Sequence, residues 1–168
     1  MGTYSINTKL FGEVEISQSY GLVADYDIVL DGKDMTVHFQ IFEDIVNDST
    51  VKIIENMIEN IPLMYEKGKK AIIDGMESNT IIKDFIGDYF YDDDVDLYLD
   101  FFCVDSAEKV TALMVAQGLE PRAIMIADKQ DGTIDCTFDF SLPEEYSDQL
   151  LVVRFNDKCE IFYITHES

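Results

Sequence analysis

Two histidines, three cysteines and 34 carboxylates are the groups from which this 168-residue chain could assemble acid–base, nucleophilic or metal chemistry. Nucleophilic catalysis needs a base within reach of a serine or cysteine. His38 stands between Val37 and Phe39, on the strand face it shares with Thr36 and Gln40, so it is expected on the wetter side of a sheet. Cys136 falls on the apolar side of its own strand, and the two side chains are expected to face apart. His166 is the third residue from the end, where fraying is expected. Cys103, Cys136 and Cys159 form an odd, widely spaced set with no Cys-x-x-Cys pair, which reads as free thiols in a reducing compartment. Carboxylates are abundant enough for a glycosidase-like pair, but abundance carries no spacing information. Gly32 and Gly132 read as hairpin glycines, while Gly68 and Gly75 lie in helical stretches, so no glycine-rich phosphate cradle is expected. Neither a cofactor nor a metal is called for.

The segment from Asp88 to Phe102 departs most from ordinary amphipathic patterning, with six Asp and six aromatic residues among fifteen. Asp92, Asp94 and Asp96 have the alternate spacing that opens a calcium loop. The glycine such a loop needs next is Leu97, however, and its closing glutamate is Cys103, which excludes an EF-hand. A weak adventitious cation site is left, beside two fuller readings. In one, Asp92 to Asp94 form a solvated turn while the aromatic rings enter the core. In the other, Tyr91, Asp92, Asp93, Asp94, Asp96 and Tyr98 make a contact surface, since tyrosines ringed by carboxylates suit a basic protein.

The elements that must position these groups are legible as changes of period. Phe11 to Ser17 alternates Val14 and Ile16 against Glu13 and Glu15, the pattern of a half-buried strand. Tyr26 to Leu30 and Met35 to Ile41 alternate likewise, with Asp31-Gly32-Lys33-Asp34 as a hairpin turn, and an antiparallel meander is expected. Ser49 or Thr50 then caps a helix whose Val51, Ile54, Ile58 and Ile61 share one face. Pro62 ends or kinks it, and a second helix spans Leu63 to Met76. A third begins at Ser78 or Asn79 with Ile81, Ile82, Phe85, Ile86 and Tyr89 on one face, and a fourth runs from Asp105, with Glu108 completing a capping box, to Gly118. Strands return at Arg122 to Ala127, Thr133 to Phe140, Leu150 to Phe155 and Glu160 to Thr165. The expected fold is one α+β domain over residues 1–168: a mainly antiparallel sheet from the N- and C-terminal strands, packed against three or four mid-chain helices.

Composition narrows the function classes. Apolar residues make up 47% of the chain, too much for a disordered acidic tail. The formal net charge of −22 repels nucleic acid and anionic lipid, so neither is expected as a partner. No apolar run approaches a membrane span, and the N-terminus lacks the basic and apolar regions of a signal peptide, so a cytoplasmic location is expected.

Leu10-Phe11-Gly12-Glu13-Val14, Ile82-Lys83-Asp84-Phe85-Ile86, and the ending Leu150 to Phe155 through Ile164-Thr165-His166-Glu167-Ser168 resemble an uncharacterised bacterial family, catalogued as domain of unknown function two thousand and four. That family favours Trp or Met where His166 stands. The resemblance runs along almost the whole chain. It implies a small cytoplasmic bacterial protein with strands at both ends and helices between, and brings no activity or active-site residues.

Charge and the missing catalytic motifs together lead to the expectation of a non-catalytic protein-binding domain. Its concrete form is an immunity protein or inhibitor that covers the cationic site of a basic toxin. The alternatives are an accessory domain acting as a homo-oligomer and an enzyme with an unrecognised carboxylate site.

Overall fold

The computed structural model describes residues 2–91 and 95–168, apart from the side chains of Tyr91, Val95 and Asp96. Its strands are β1 (Thr3–Thr8), β2 (Gly12–Ser17), β3 (Leu22–Leu30), β4 (Lys33–Ile41), β5 (Glu120–Asp128), β6 (Ile134–Ser141), β7 (Leu150–Phe155) and β8 (Ile161–Glu167). Between β4 and β5 lie α1 (Asp48–Glu59), α2 (Ile61–Gly75), α3 (Thr80–Tyr91), α4 (Leu99–Phe102) and α5 (Ala112–Gly118). The architecture is α+β, as the periodicities predict.

The expected meander of the first third is corrected by the pairing. β1 and β2 form a two-stranded sheet of their own, joined to β3 through a single bridge between Ser17 and Gly21. β3 and β4 instead open a six-stranded sheet in the order β3-β4-β5-β6-β7-β8. Every neighbouring pair in it is antiparallel except β4 and β5. A parallel pair needs a long crossover, and the whole helical segment supplies it. The β3–β4 turn has Asp31 at φ 51° and Gly32 at φ 75°, the two left-handed residues of a tight hairpin.

Direct cross-strand partners share a side of the sheet, so the register sorts the residues into two faces. Phe39, Ile126, Cys136 and Phe155 lie in line on one face, and Val37, Ile124, Phe138 and Val153 form the next line; all are buried. The helices cover this face with Ile54, Met57, Ile58, Met64, Ile72, Phe85 and Val115. Phe138 stacks on Phe140 at 6.1 Å and meets Phe155 edge-on at 5.5 Å. The β1–β2 hairpin closes the near end of the same layer: Phe11 packs on Tyr26 and Phe39, and the Tyr4 hydroxyl donates to Asp48 of α1 at 2.7 Å.

Helix boundaries moved where a better cap competed. Asn47, not Ser49 or Thr50, caps α1: its side chain accepts from the Ser49 and Thr50 amides, while the Thr50 hydroxyl accepts from the Asn47 amide. Pro62 sits in the first turn of α2, where its missing donor is harmless, so Asn60 rather than the proline marks the junction. Asn79 caps α3 through the Ile82 amide, as expected. The helix expected from Asp105 is shorter. Ala107–Lys109 is a 3-10 turn, Asp105 pairs with Lys109 at 2.5 Å instead of closing a capping box, and Thr111 caps α5 through the Met114 amide.

The thiols divide by burial. Cys136 is fully buried and Cys159 is 3% exposed, and burial raises both thiols above their ordinary range, while Cys103 is exposed. Thiolate is the reactive form. Iodoacetamide is therefore expected to label Cys103 alone in the native protein and all three thiols in denaturant, read by intact mass. Rapid native labelling of Cys136 would refute this packing.

Candidate functional site

The other face of the large sheet carries no helix among the described residues, and the sequence builds it from the alternate positions of the same strands. One row crosses all six: Asp25 on β3 faces His38 on β4, and Met125, Thr137, Arg154 and Tyr163 continue the line through β5 to β8. Apolar side chains stand open to solvent here, with Val23 at 66%, Val29 at 63% and Tyr163 at 53% exposure. Carboxylates lie among them: Asp25, Asp27, Asp34 and Glu167 are exposed and Asp139 is half-buried. Asp25 Oδ1 lies 2.8 Å from His38 Nδ1, and the Thr36 hydroxyl donates to Asp27 at 3.0 Å. Cross-strand partners thus hold both carboxylates in place. His38 is the surface residue the alternation predicts, on the opposite side of the sheet from Cys136.

Burial pushes the Asp139 carboxyl up, with Glu167 adding to the effect and Arg154 opposing it. A carboxyl raised in the folded state penalises the charged fold at neutral pH. That penalty shrinks as pH falls through the raised value and is gone below the unfolded range near about 3.9. Asp139→Asn is expected to raise the melting temperature at pH 7, with the gain vanishing on acidification. Thermal unfolding at several pH values checks the sign, and a gain that grows in acid would contradict it.

At one end of this face the loop between β5 and β6, the loop between β7 and β8, and the adjoining ends of β6, β7 and β8 line an open cavity of about 610 Å³. Asp135 forms its floor, with its side chain 8% exposed. Lys129 Nζ lies 3.2 Å from Asp135 Oδ1, Arg154 Nη1 lies 4.0 Å from Oδ2, and Arg154 Nη2 lies 3.5 Å from Glu167. The Lys129 contact falls outside hydrogen-bond geometry, and Asp135 Oδ1 is buried without a hydrogen-bond partner. Alternation with Ile134 and Cys136 puts Asp135 on the polar side of β6, and that pattern alone assigns it no role. The available signal was Arg154, the one charge in the otherwise apolar run Leu150 to Phe155.

Of the residues expected in a contact surface, Asp92, Asp93 and Asp94 lie outside the described residues, as do the side chains of Tyr91 and Asp96. Tyr98 is described, and it is 3% exposed. Its ring meets Tyr89 at 5.6 Å and Tyr146 at 6.2 Å, and Phe101 joins Tyr146 at 5.5 Å. The Tyr98 ring therefore belongs to the core beneath α3. Tyr89 donates to the Ser147 hydroxyl at 3.0 Å.

His166 departs from expectation. Strand β8 holds it opposite Leu151, its Nε2 lies 2.7 Å from Gln149 Oε1, and its ring meets Phe85 edge-on at 5.0 Å. Pairing with β7 and packing under α3 remove the freedom that a terminal position suggested. Its other nitrogen lies 3.8 Å from Asp88. No group of three or more His, Cys, Asp or Glu suited to a metal occurs among the described residues, and no helix there is long and apolar enough to cross a membrane.

No protein-family model, curated protein or solved structure matches the chain.

Proposed function

We propose that this protein is a non-catalytic binding domain whose helix-free sheet face covers a basic protein, in the manner of an immunity protein or inhibitor of a cationic toxin. The observation that carries the reading is the composition of that face. Exposed Val23, Val29, Met125 and Tyr163 supply dry contact area, and Asp25, Asp27, Asp34 and Glu167 supply charge among them. Interfaces combine these two ingredients, an apolar centre for affinity and charged surroundings for steering. A formal charge of −22 gives the steering long range at low salt.

A toxin that grips phosphate presents the complementary surface. The partner is therefore sought as the product of a neighbouring toxin-like reading frame, basic and nuclease-like, and its association is followed by stopped flow. The association rate is expected to fall about tenfold or more as ionic strength rises from about 0.01 to 0.15 M, where the Debye length contracts from about 30 to 8 Å. Binding indifferent to salt would refute the reading. Self-association is the second reading, favoured by β8, an edge strand carrying exposed Phe162 and Tyr163. Light scattering separates the two, since a stable dimer without heterologous binding supports the homo-oligomer.

A further inference from the structure

We infer that the cavity over Asp135 is a socket for an arginine side chain, the anchor through which a basic partner is held. The inference rests on the binding-domain reading above and adds the chemistry of its central contact. Asp135 is a carboxylate more than nine-tenths buried, at the bottom of a concave site, with one oxygen lacking any hydrogen bond. A buried acceptor in that condition is costly unless a donor reaches it. Lys129 supplies charge from 3.2 Å but not the geometry of a bond. A guanidinium supplies both, because its planar fork presents paired N–H groups to a carboxylate and an ammonium does not.

The walls suit the same group. Phe162 and Tyr163 line the cavity and are 55% and 53% exposed, offering ring faces on which a guanidinium stacks. Asp131 and Asp157 stand at the rim on the two hairpin loops. Three carboxylates against Lys129 and Arg154 leave the lining negative, within a strongly negative molecule. Arg154 Nε is also buried without a hydrogen-bond partner and is the donor an anion would use, but an anion is the less favoured occupant, since it would enter against that field beside Asp135 and Glu167, which already face the two terminal nitrogens of Arg154. On this account Lys129 is a placeholder that the incoming arginine displaces.

The experiment titrates the intact protein with the peptide acetyl-Gly-Arg-Gly-amide at low salt, following amide NMR shifts. Citrulline and lysine peptides and inorganic phosphate serve as separate controls. Expected are saturable shifts confined to residues 129–135 and 154–163, with the citrulline and lysine peptides at least about fivefold weaker. Tyr163→Ala should weaken binding about two- to fivefold, the usual range for an exposed cation–π contact. Asp135→Asn should abolish it. Because Asp135→Asn could unsettle the fold, Lys129→Gln is the deciding variant. Removing the placeholder should tighten the arginine peptide about threefold or more, whereas a site for anions would be weakened.

Shifts scattered over the acidic surface, equal binding of citrulline, saturable phosphate binding here, or weakening by Lys129→Gln would each overturn the socket. The two proposals fail separately. A basic protein that binds with steep salt dependence, yet ignores Asp135→Asn and Lys129→Gln, refutes the socket and leaves the binding domain standing. Arginine-peptide binding at this cavity, together with no binding of any basic protein, refutes the anchor role.

Discussion

Gly21→Ala is expected to destabilise the fold by about 2–5 kcal/mol, more than any surface substitution and a large part of the roughly 5–15 kcal/mol that holds an ordinary domain together. Two terms add. Gly21 has φ 68°, and a left-handed backbone costs a residue with a β-carbon about 1–2 kcal/mol. The new carbon would also stand 1.9 Å from the carbonyl oxygen of Ile41 and 2.9 Å from its carbon. That neighbour is the backbone of β4 and cannot swing aside. Relieving such an overlap costs a further 1–3 kcal/mol, about the range for overpacked interiors. Gly21 is also where the chain passes from the small sheet to the large one, through its bridge to Ser17. Gly32→Ala provides the control, with φ 75° and no atom within 4 Å of the added carbon, so it carries the conformational term alone. Urea unfolding of the two variants isolates the collision, and equal losses would show that the approach of Gly21 to β4 is looser than described.

The second large effect falls on binding. Reversing Asp25 and Asp27 together to lysine shifts the charge of the open face by four units and is expected to slow association with the basic partner about ten- to a hundredfold at low salt. Reversing Glu77 and Asp84 makes the same change to net charge at two exposed acids on the helical side. At about 0.15 M ionic strength, where the Debye length is about 8 Å, that pair should slow association far less than the Asp25 and Asp27 pair, because charges far from the contact are then screened. Stopped flow on both variants, with their folding checked by circular dichroism, gives the answer. Equal slowing would mean that total charge, not this face, directs the encounter.

Much of the framework was readable along the chain. The alternation of Ile134, Cys136, Phe138 and Phe140 against Asp135, Thr137 and Asp139 predicts a strand with one dry face, because side chains of an extended chain point alternately to either side. The 3.6-residue recurrence of Val51, Ile54 and Ile58 predicts a helix in the same way. Asp31-Gly32 announces its turn through conformational preference. The charge follows from counting and bears on the class of partner. Each of these is a local property, carried by a few consecutive residues whatever the rest of the chain does.

What tertiary structure alone decided is which strands meet and what lies over them. β1 (Thr3–Thr8) pairs with β2 and so leaves β3 as an edge, an outcome that no pattern in either strand dictates, since register and partner depend on contacts distant in sequence. The parallel joint between β4 and β5 places His38 beside Met125, and so assembles Asp25, Met125, Arg154 and Tyr163 on one surface from four separate strands. Tyr98 and Asp135 show this most plainly. Tyr98, which the sequence left between the core and a contact surface, is buried among other rings, while an aspartate on the polar side of its strand has a side chain only 8% exposed in a cavity. Burial belongs to the neighbours that the fold brings to a residue, and a single sequence records the residue without its neighbours.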